Sequence, residues 1–394
     1  MAKPYRVLVL NQISSHGLKR LPAEQYEVGK DVAEPDAILV RSADMHSMKI
    51  PSSVRAIGRA GAGTNNIPVK DMSARGVPVF NAPGANANAV KELVLAGMLM
   101  AARNLPAALR FVADLDPLAP DMDKQVEDGK KSFAGFELAG HTLGVIGLGK
   151  IGCLVADAAI RLGMNVIGYD PEITVDAAWS LPSQVKKAHS VPEILKSCHF
   201  VTLHVPLLAA TKHLVNAAAI EQMRHGAVLL NFSREGVVDE AAVVAALDAA
   251  RLRYYVCDFP SGSVNGHQSV ITLPHLGAST REAEDNCALM VADQLRDYLE
   301  HGNVRNAVNF PDVVVPRESG FRVAIANANV PNMLGQISTA MANAGLNIHN
   351  MMNKSRGEMA YTVVDVDSAV PNAVVRSIAA IGGVLAVRYL PASG

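Results

Sequence analysis

Two side chains in this sequence stand where they could act on a small acid. Arg234 follows the apolar run Ala227–Phe232 and Ser233, and His275 follows Val270–Leu273 and Pro274. Arginine offers a planar two-donor fork that suits a carboxylate. Histidine exchanges a proton near neutrality, its ordinary pKa being about 6.5. A carboxylate-holding cation beside an acid–base group suits redox chemistry at a hydroxyl-bearing carbon, provided that a hydride carrier lies against that carbon. Taken singly, Arg234 also reads as a surface arginine and His275 as a helix-cap histidine.

A place for the hydride carrier lies upstream, in His141–Asp170. Leu143–Ile146 reads as a buried parallel strand, and Gly147, Gly149 and Gly152 follow in G-x-G-x-x-G spacing. Ile151–Leu162 repeats apolar residues every three or four positions, as a helix does, and Gly163 ends it. Asn165–Tyr169 is a second apolar strand with Asp170 at its end. Gly147 permits the tight turn, Gly149 lets backbone approach a pyrophosphate, and Gly152 lets helix and strand pack closely. The pyrophosphate then meets free N–H groups at the helix N-terminus, and Asp170 accepts from the ribose hydroxyls. A glycine-rich βα turn occurs in other α/β proteins too. Here strand, glycines, helix, second strand and acid fall in register, which points to a dinucleotide. Asp170 favours NAD, because a carboxylate repels a 2′-phosphate.

These groups need parallel strands to present them. Val7–Leu10, Ala37–Val40 and Val77–Phe80 read as strands of a first α/β unit, with a glycine-rich turn at Arg59–Asn65. Asn86–Arg103 is a helical pattern crossing to a second unit, and 114–140 reads as a polar loop. Strands at Phe200–His204, Ala227–Phe232, Tyr254–Cys257 and Val270–Leu273 each run into polar residues, at the end where open α/β sheets bind ligands. Arg281–Glu300 is a long helix, and 311–320, with Pro311, Pro316 and Gly320, reads as a linker. Beyond it, strand (Arg322–Ala326), helix (Pro331–Ala344), strand (Ile348–Lys354), strand (Ala360–Val366), helix (Asn372–Ile381) and strand (Val384–Tyr389) follow a ferredoxin-like βαββαβ order.

With 394 residues the chain is long enough for two or three domains. A net charge of -1 gives no argument for nucleic acid or anionic membranes, and no apolar run is long enough to span a bilayer. MAKPYRVLVLN lacks a signal-peptide pattern, so a cytoplasmic location is expected. Cys153, Cys198, Cys257 and Cys287 are scattered, which predicts free thiols and no metal site.

The glycine fingerprint with Asp170, then His204-Val205-Pro206, Asn231-Phe-Ser-Arg234-Glu-Gly-Val-Val-Asp239 and Pro274-His275-Leu-Gly-Ala-Ser-Thr280, together resemble the D-isomer-specific 2-hydroxyacid dehydrogenase family. The resemblance covers nearly all of 1–310. It implies a Rossmann-type doubly wound domain (86–280), a flavodoxin-like substrate domain (1–85 plus 281–310) and NAD as cofactor. Adding Arg59-Ala-Gly-Ala-Gly-Thr-Asn-Asn66 and Phe80-Asn-Ala-Pro83, the pattern is most similar to the branch that oxidises 3-phospho-D-glycerate in serine biosynthesis. Another D-2-hydroxyacid is the alternative substrate, and a weakened NAD/amino-acid sensor the alternative role. By the same resemblance Arg234 binds the substrate carboxylate and His275 is the acid–base. Arg41, Ser42, Ala62, Gly63 and Asn86 contact substrate. Gly147, Gly149, Lys150, Ile151, Gly152, Asp170, His204, Val205, Pro206, Thr211, Ser233, Asp258, His275 and Gly277 face the cofactor.

One position departs from the pattern. The family carries a Glu a few residues past the strand-end Asp, which orients the catalytic His and raises its pKa. Here that position falls near Gly262, and no acid occurs between Asp258 and Glu282. Unless a carboxylate enters from elsewhere in space, a lower-pKa His275 and a slower or shifted dehydrogenase are expected.

Residues 321–394 resemble an ACT domain through Asn329-Val-Pro331, Gly345-Leu-Asn347-Ile348 and Ala360-Tyr-Thr-Val363. That resemblance implies an amino-acid effector, serine, at Asn327, Asn329 and Asn347. Asn327 stands where a His is often found. A module that only dimerises is the alternative. A homodimer or homotetramer is expected.

Overall fold

The computed structural model describes residues 3–392, which form two compact units. One holds the residues up to Asn86 together with those from Arg281 onward, and the other is Ala87–Thr280.

The first unit begins with five parallel strands: β1 (Tyr5–Val9), β2 (Tyr26–Gly29), β3 (Ala37–Val40), β4 (Ala56–Arg59) and β5 (Val79–Phe80). Their order, β2-β1-β3-β4-β5, is the flavodoxin-like one. The helix Arg281–His301 covers this sheet. A Cβ at Gly58 would stand 2.4 Å from Val291 Cγ1, so only glycine in β4 admits the helix this closely.

The second unit holds β6 (Thr142–Ile146), β7 (Asn165–Tyr169), β8 (Lys186–Lys187), β9 (Phe200–Leu203), β10 (Ala227–Asn231), β11 (Leu252–Cys257) and β12 (Val270–Thr272). All are parallel, in the order β12-β11-β10-β9-β6-β7-β8. The chain runs outward from β6 through β8 and then returns to the other side of β6 with β9. This reversal is the doubly wound switch point, where strand C-termini open a crevice. β9 and β10 are buried at every residue, as strands covered on both faces must be.

The stretch 114–140, expected as a loop, contains the helix Met122–Gly129 and the 3-10 turn Lys130–Phe133, preceded by the helix Leu105–Ala113. No residue of these three elements is buried, and the apolar residues Leu105, Leu109 and Val112 of the first face solvent rather than a core.

A third sheet belongs to the first unit: β13 (Phe321–Ala328), β14 (Ile348–Arg356), β15 (Met359–Val366) and β16 (Val384–Leu390), antiparallel in the order β14-β15-β13-β16. With the helices Met333–Asn343 and Asn372–Ala379 it makes the βαββαβ arrangement. The stretch 311–320 before it alternates buried and exposed residues. Phe310, Pro311, Val313 and Val315 are buried, and Val313 pairs with Val304. Prolines and a glycine signalled missing regular structure there, which is a different property from exposure.

Candidate active site

Register brings the chemistry together in the second unit. Asn231 of β10 pairs with Cys257 of β11, which pairs with Thr272 of β12. Arg234 and His275 each lie three residues beyond this row, and Asp258 one, so all three leave the sheet at one end.

Asn231 shapes the first turn. Its side-chain oxygen accepts from Ser233 Oγ (2.9 Å) and its Nδ2 donates to the Arg234 carbonyl (2.9 Å). The Arg234 side chain reaches solvent and donates to the Ser233 carbonyl at 2.6 Å. Asp258 shapes the second turn. Its carboxylate is buried and accepts from the backbone N–H groups of Leu276 (2.7 Å) and Gly277 (2.8 Å). Burial pushes its pKa up, while those two N–H groups pull it back down. His275 itself has φ +56°, a left-handed conformation uncommon for a side-chain-bearing residue, and its ring meets Phe259 edge-on at 5.2 Å. Arg234, His275 and Phe259 line one cavity of about 660 Å³ with Leu207, His213, Glu235, Gly236, Val238 and Glu240.

A carboxylate does enter this region from elsewhere. Glu240 opens the helix Glu240–Asp248, and its Oε2 accepts from Ser261 Oγ (2.5 Å) and Ser263 Oγ (2.7 Å). These serines flank Gly262, where the acid was missing. The other oxygen, Oε1, is buried without a hydrogen-bond partner among the described residues. Sequence reasoning passed over Glu240. Two hydroxyls flanking the vacant position were the available signal.

The glycine loop follows β6. Gly147 has φ +94°, and a Cβ there would meet the His204 carbonyl oxygen at 2.6 Å. A Cβ on Gly152 would stand 2.0 Å from the Gly147 oxygen, whereas one on Gly149 would meet nothing within 4 Å. Two glycines are thus demanded by the fold, and the middle one faces open space at the N-terminus of the helix Lys150–Arg161, which no side chain caps. Lys150 is exposed and Ile151 half-buried in its first turn. Asp170 accepts from the N–H groups of Leu148 (2.8 Å) and Glu172 (2.9 Å), one on each oxygen, leaving a lone pair on each. His204 pairs its Nε2 with Thr202 Oγ1 at 3.0 Å, and burial lowers its pKa to about 3, so it is neutral. Val205 follows it, and the turn beyond is tied by Thr211 Oγ1, which donates to the Pro206 carbonyl at 2.5 Å.

The remaining expected substrate contacts lie in the first unit. Arg41, past β3, donates to Glu284 at 2.6 Å, with both side chains about one-third exposed or more (36% and 42%). Ser42 beside it is exposed. Ala62 and Gly63 lie in the turn past β4, which is held by Asn81 Nδ2 donating to the Ala62 carbonyl at 2.5 Å. Asn86 is half-buried just before the helix Ala87–Ala102.

The βαββαβ module carries a second cavity of about 190 Å³, lined by Asn327, Asn329, Asn332, Asn353 and apolar neighbours. Asn327 is buried and accepts from Thr362 Oγ1 at 3.2 Å. Asn347 is not brought to this cavity. It precedes β14, six residues before Asn353, or roughly 20 Å along an extended strand. Asn332 and Asn353, which sequence reasoning omitted, line it instead.

Comparison with known proteins agrees with this geometry. The D-isomer specific 2-hydroxyacid dehydrogenase NAD binding domain matches residues 95–277. D-3-phosphoglycerate dehydrogenase of Haemophilus influenzae is 34% identical over 350 residues, covering 85% of this chain and 81% of the relative. This chain is a D-isomer-specific 2-hydroxyacid dehydrogenase. The D-3-phosphoglycerate dehydrogenase of Methanocaldococcus jannaschii is 36% identical over 73% of the chain, which spans 54% of that relative's length. Among solved structures, the NAD+-bound 3-phosphoglycerate dehydrogenase of Entamoeba histolytica shares the fold (TM-score 0.61, 24% identity, 78% of this chain and 99% of that one). In this dehydrogenase the open Gly149 cradle, the uncapped helix and Asp170 fit NAD, the family's cofactor.

Proposed function

We propose that this dehydrogenase oxidises 3-phospho-D-glycerate to 3-phosphohydroxypyruvate, the opening step of serine biosynthesis. The observation that carries this reading is a cavity pairing Arg234 with His275 in a chain whose 32–36% identical relatives are D-3-phosphoglycerate dehydrogenases. The Arg234 guanidinium holds the substrate carboxylate. A neutral His275 nitrogen takes the proton of the C2 hydroxyl as that carbon becomes a ketone. Bound NAD supplies the acceptor for the hydride lost from C2. Asp258, by fixing the N–H groups of Leu276 and Gly277, holds the His275 turn in place. Gly147, Gly149, Lys150, Ile151 and Gly152 cradle the pyrophosphate, and Asp170 takes the ribose hydroxyls. His204, Val205, Pro206, Thr211, Ser233 and Gly277 complete the cofactor site. Arg41 and Ser42 take the phosphate, while Ala62, Gly63 and Asn86 support the carboxylate end. The test is NADH formation at alkaline pH from 3-phospho-D-glycerate beside unphosphorylated D-2-hydroxyacids. Turnover of the latter alone would reassign the substrate.

In the same reading Asn327 and Asn329 bind an amino-acid effector, serine, in the polar cavity of the ACT-like module. Serine lowering kcat/KM in wild type and not in Asn329→Ala is the expected result. Asn347 lies apart from that cavity, so it joins the site only from a second copy. Self-association is also supported by exposed Leu105, Leu109 and Val112 on one short helix. A cytoplasmic location is supported by four free cysteines, and no single described helix is long and apolar enough to cross a membrane.

A further inference from the structure

Glu240 presents an unusual arrangement for a residue at a helix start. Its Oε2 is held by two hydroxyls, those of Ser261 and Ser263, which also contact each other at 2.8 Å. Two hydroxyls from one segment therefore fix where the carboxylate stands. Its Oε1 is buried and takes no hydrogen bond. A buried carboxylate oxygen left without a donor is costly, so its position implies a donor supplied in the working state. The cavity that Glu240 shares offers three nitrogen side chains: Arg234, His213 and His275. All three are exposed, and Arg234 also donates to the Ser233 carbonyl. His275 is the one whose proton must move, and a neutral imidazole needs an acceptor on one nitrogen to define which nitrogen is free.

We propose that Glu240 is the positioning residue for His275: its free oxygen receives the imidazole N–H and keeps the opposite nitrogen ready for the substrate hydroxyl. This rests on the reading of His275 as the acid–base. Other charged or titratable groups also face His275. Glu235, Arg234 and His213 line the cavity, and Asp258 lies beneath the His275 turn and feels its charge. Glu240 differs from Glu235 in being fixed rather than solvent-exposed, and from Asp258 in having an oxygen to spare.

The test is NMR titration of His275 in the full chain labelled at histidine, with His275→Asn to assign the signal. In Glu240→Gln the His275 pKa falls by about one unit, because the anion that favoured imidazolium is gone. Ser261→Ala/Ser263→Ala gives a smaller fall in the same direction. Gly262→Glu added to Glu240→Gln restores the titration, since a Cβ at 262 meets nothing within 4 Å. In parallel, the acid-side limb of kcat/KM for oxidation moves to lower pH and kcat falls, with KM for NAD unchanged. An unmoved titration in folded Glu240→Gln overturns the proposal, as does a change confined to KM for the acid substrate, which would pair Glu240 with Arg234. A shifted titration in a chain that turns over no D-2-hydroxyacid upholds the pairing and refutes the functional reading instead.

Discussion

Individual side chains here divide labour by how much water they see. Arg41 is partly exposed and ion-paired with Glu284, so it can exchange that partner for a phosphate. A charge-assisted contact contributes about 1.5–3 kcal/mol. Arg41→Ala should therefore raise KM for 3-phospho-D-glycerate by about tenfold or more, and for an unphosphorylated D-2-hydroxyacid far less. Equal losses on both substrates in initial-rate assays would count against a phosphate role. His204 illustrates the opposite environment. Its pKa, about 3 when folded against 6.5 unperturbed, is depressed by burial. The unfolded chain then binds a proton that the native one refuses, so stability is complete above the unfolded pKa and declines as pH falls from 6.5 towards 3. Between pH 8 and pH 5 this amounts to about 2 kcal/mol. Urea unfolding of wild type against His204→Gln should show the slope reduced in the variant.

Among elements, the β6–helix–β7 unit separates structural from functional glycine. Under the proposed cofactor placement, Gly149→Ala puts a methyl group in the open space kept for the pyrophosphate. The melting temperature should stay unchanged while the Kd for NAD rises by about tenfold or more, close to 1.4 kcal/mol. Gly152→Ala drives a Cβ against the Gly147 carbonyl, and the expected result is a fold weakened by about 2 kcal/mol or more. Calorimetry with and without NAD distinguishes the two. If both variants lost only affinity, the Gly152 packing argument would fail.

For the molecule as a whole, the βαββαβ module is built into the unit that carries it. Arg322 is fully buried and forms a two-pronged pair with Asp365 (2.6 and 2.8 Å). It also donates to the carbonyls of His301, Val315 and Pro316. Tyr361 adds a bond to the Gly302 carbonyl at 2.9 Å, and Arg388 lies over the Tyr298 ring at 4.5 Å. One guanidinium thus ties β13 and β15 to the end of the Arg281–His301 helix and to the strap 311–320. Asp365→Asn leaves that cation uncompensated, which should cost about 3–5 kcal/mol. Limited proteolysis should then cut near 311–320 faster than in wild type.

By itself, the sequence determined the parts that local patterning encodes. The glycine fingerprint, the strands Ala227–Phe232, Tyr254–Cys257 and Val270–Leu273 to within a residue at their C-terminal ends, and the βαββαβ succession depend on turns and periodicities within a dozen residues, so spacing exposes them. The family membership rests on those same motifs. What only the tertiary structure decided involves groups distant along the chain. Glu240 meets Ser261 and Ser263 because β10, its following helix and β11 return the chain to the same sheet end. Asn347 stays away from Asn327 because an extended strand separates it from the cavity. Val313 and Val315 of the 311–320 stretch are buried although prolines and a glycine break its regular structure. In each case the deciding quantity is a side-chain juxtaposition set by parallel register or module docking, which residue spacing does not carry.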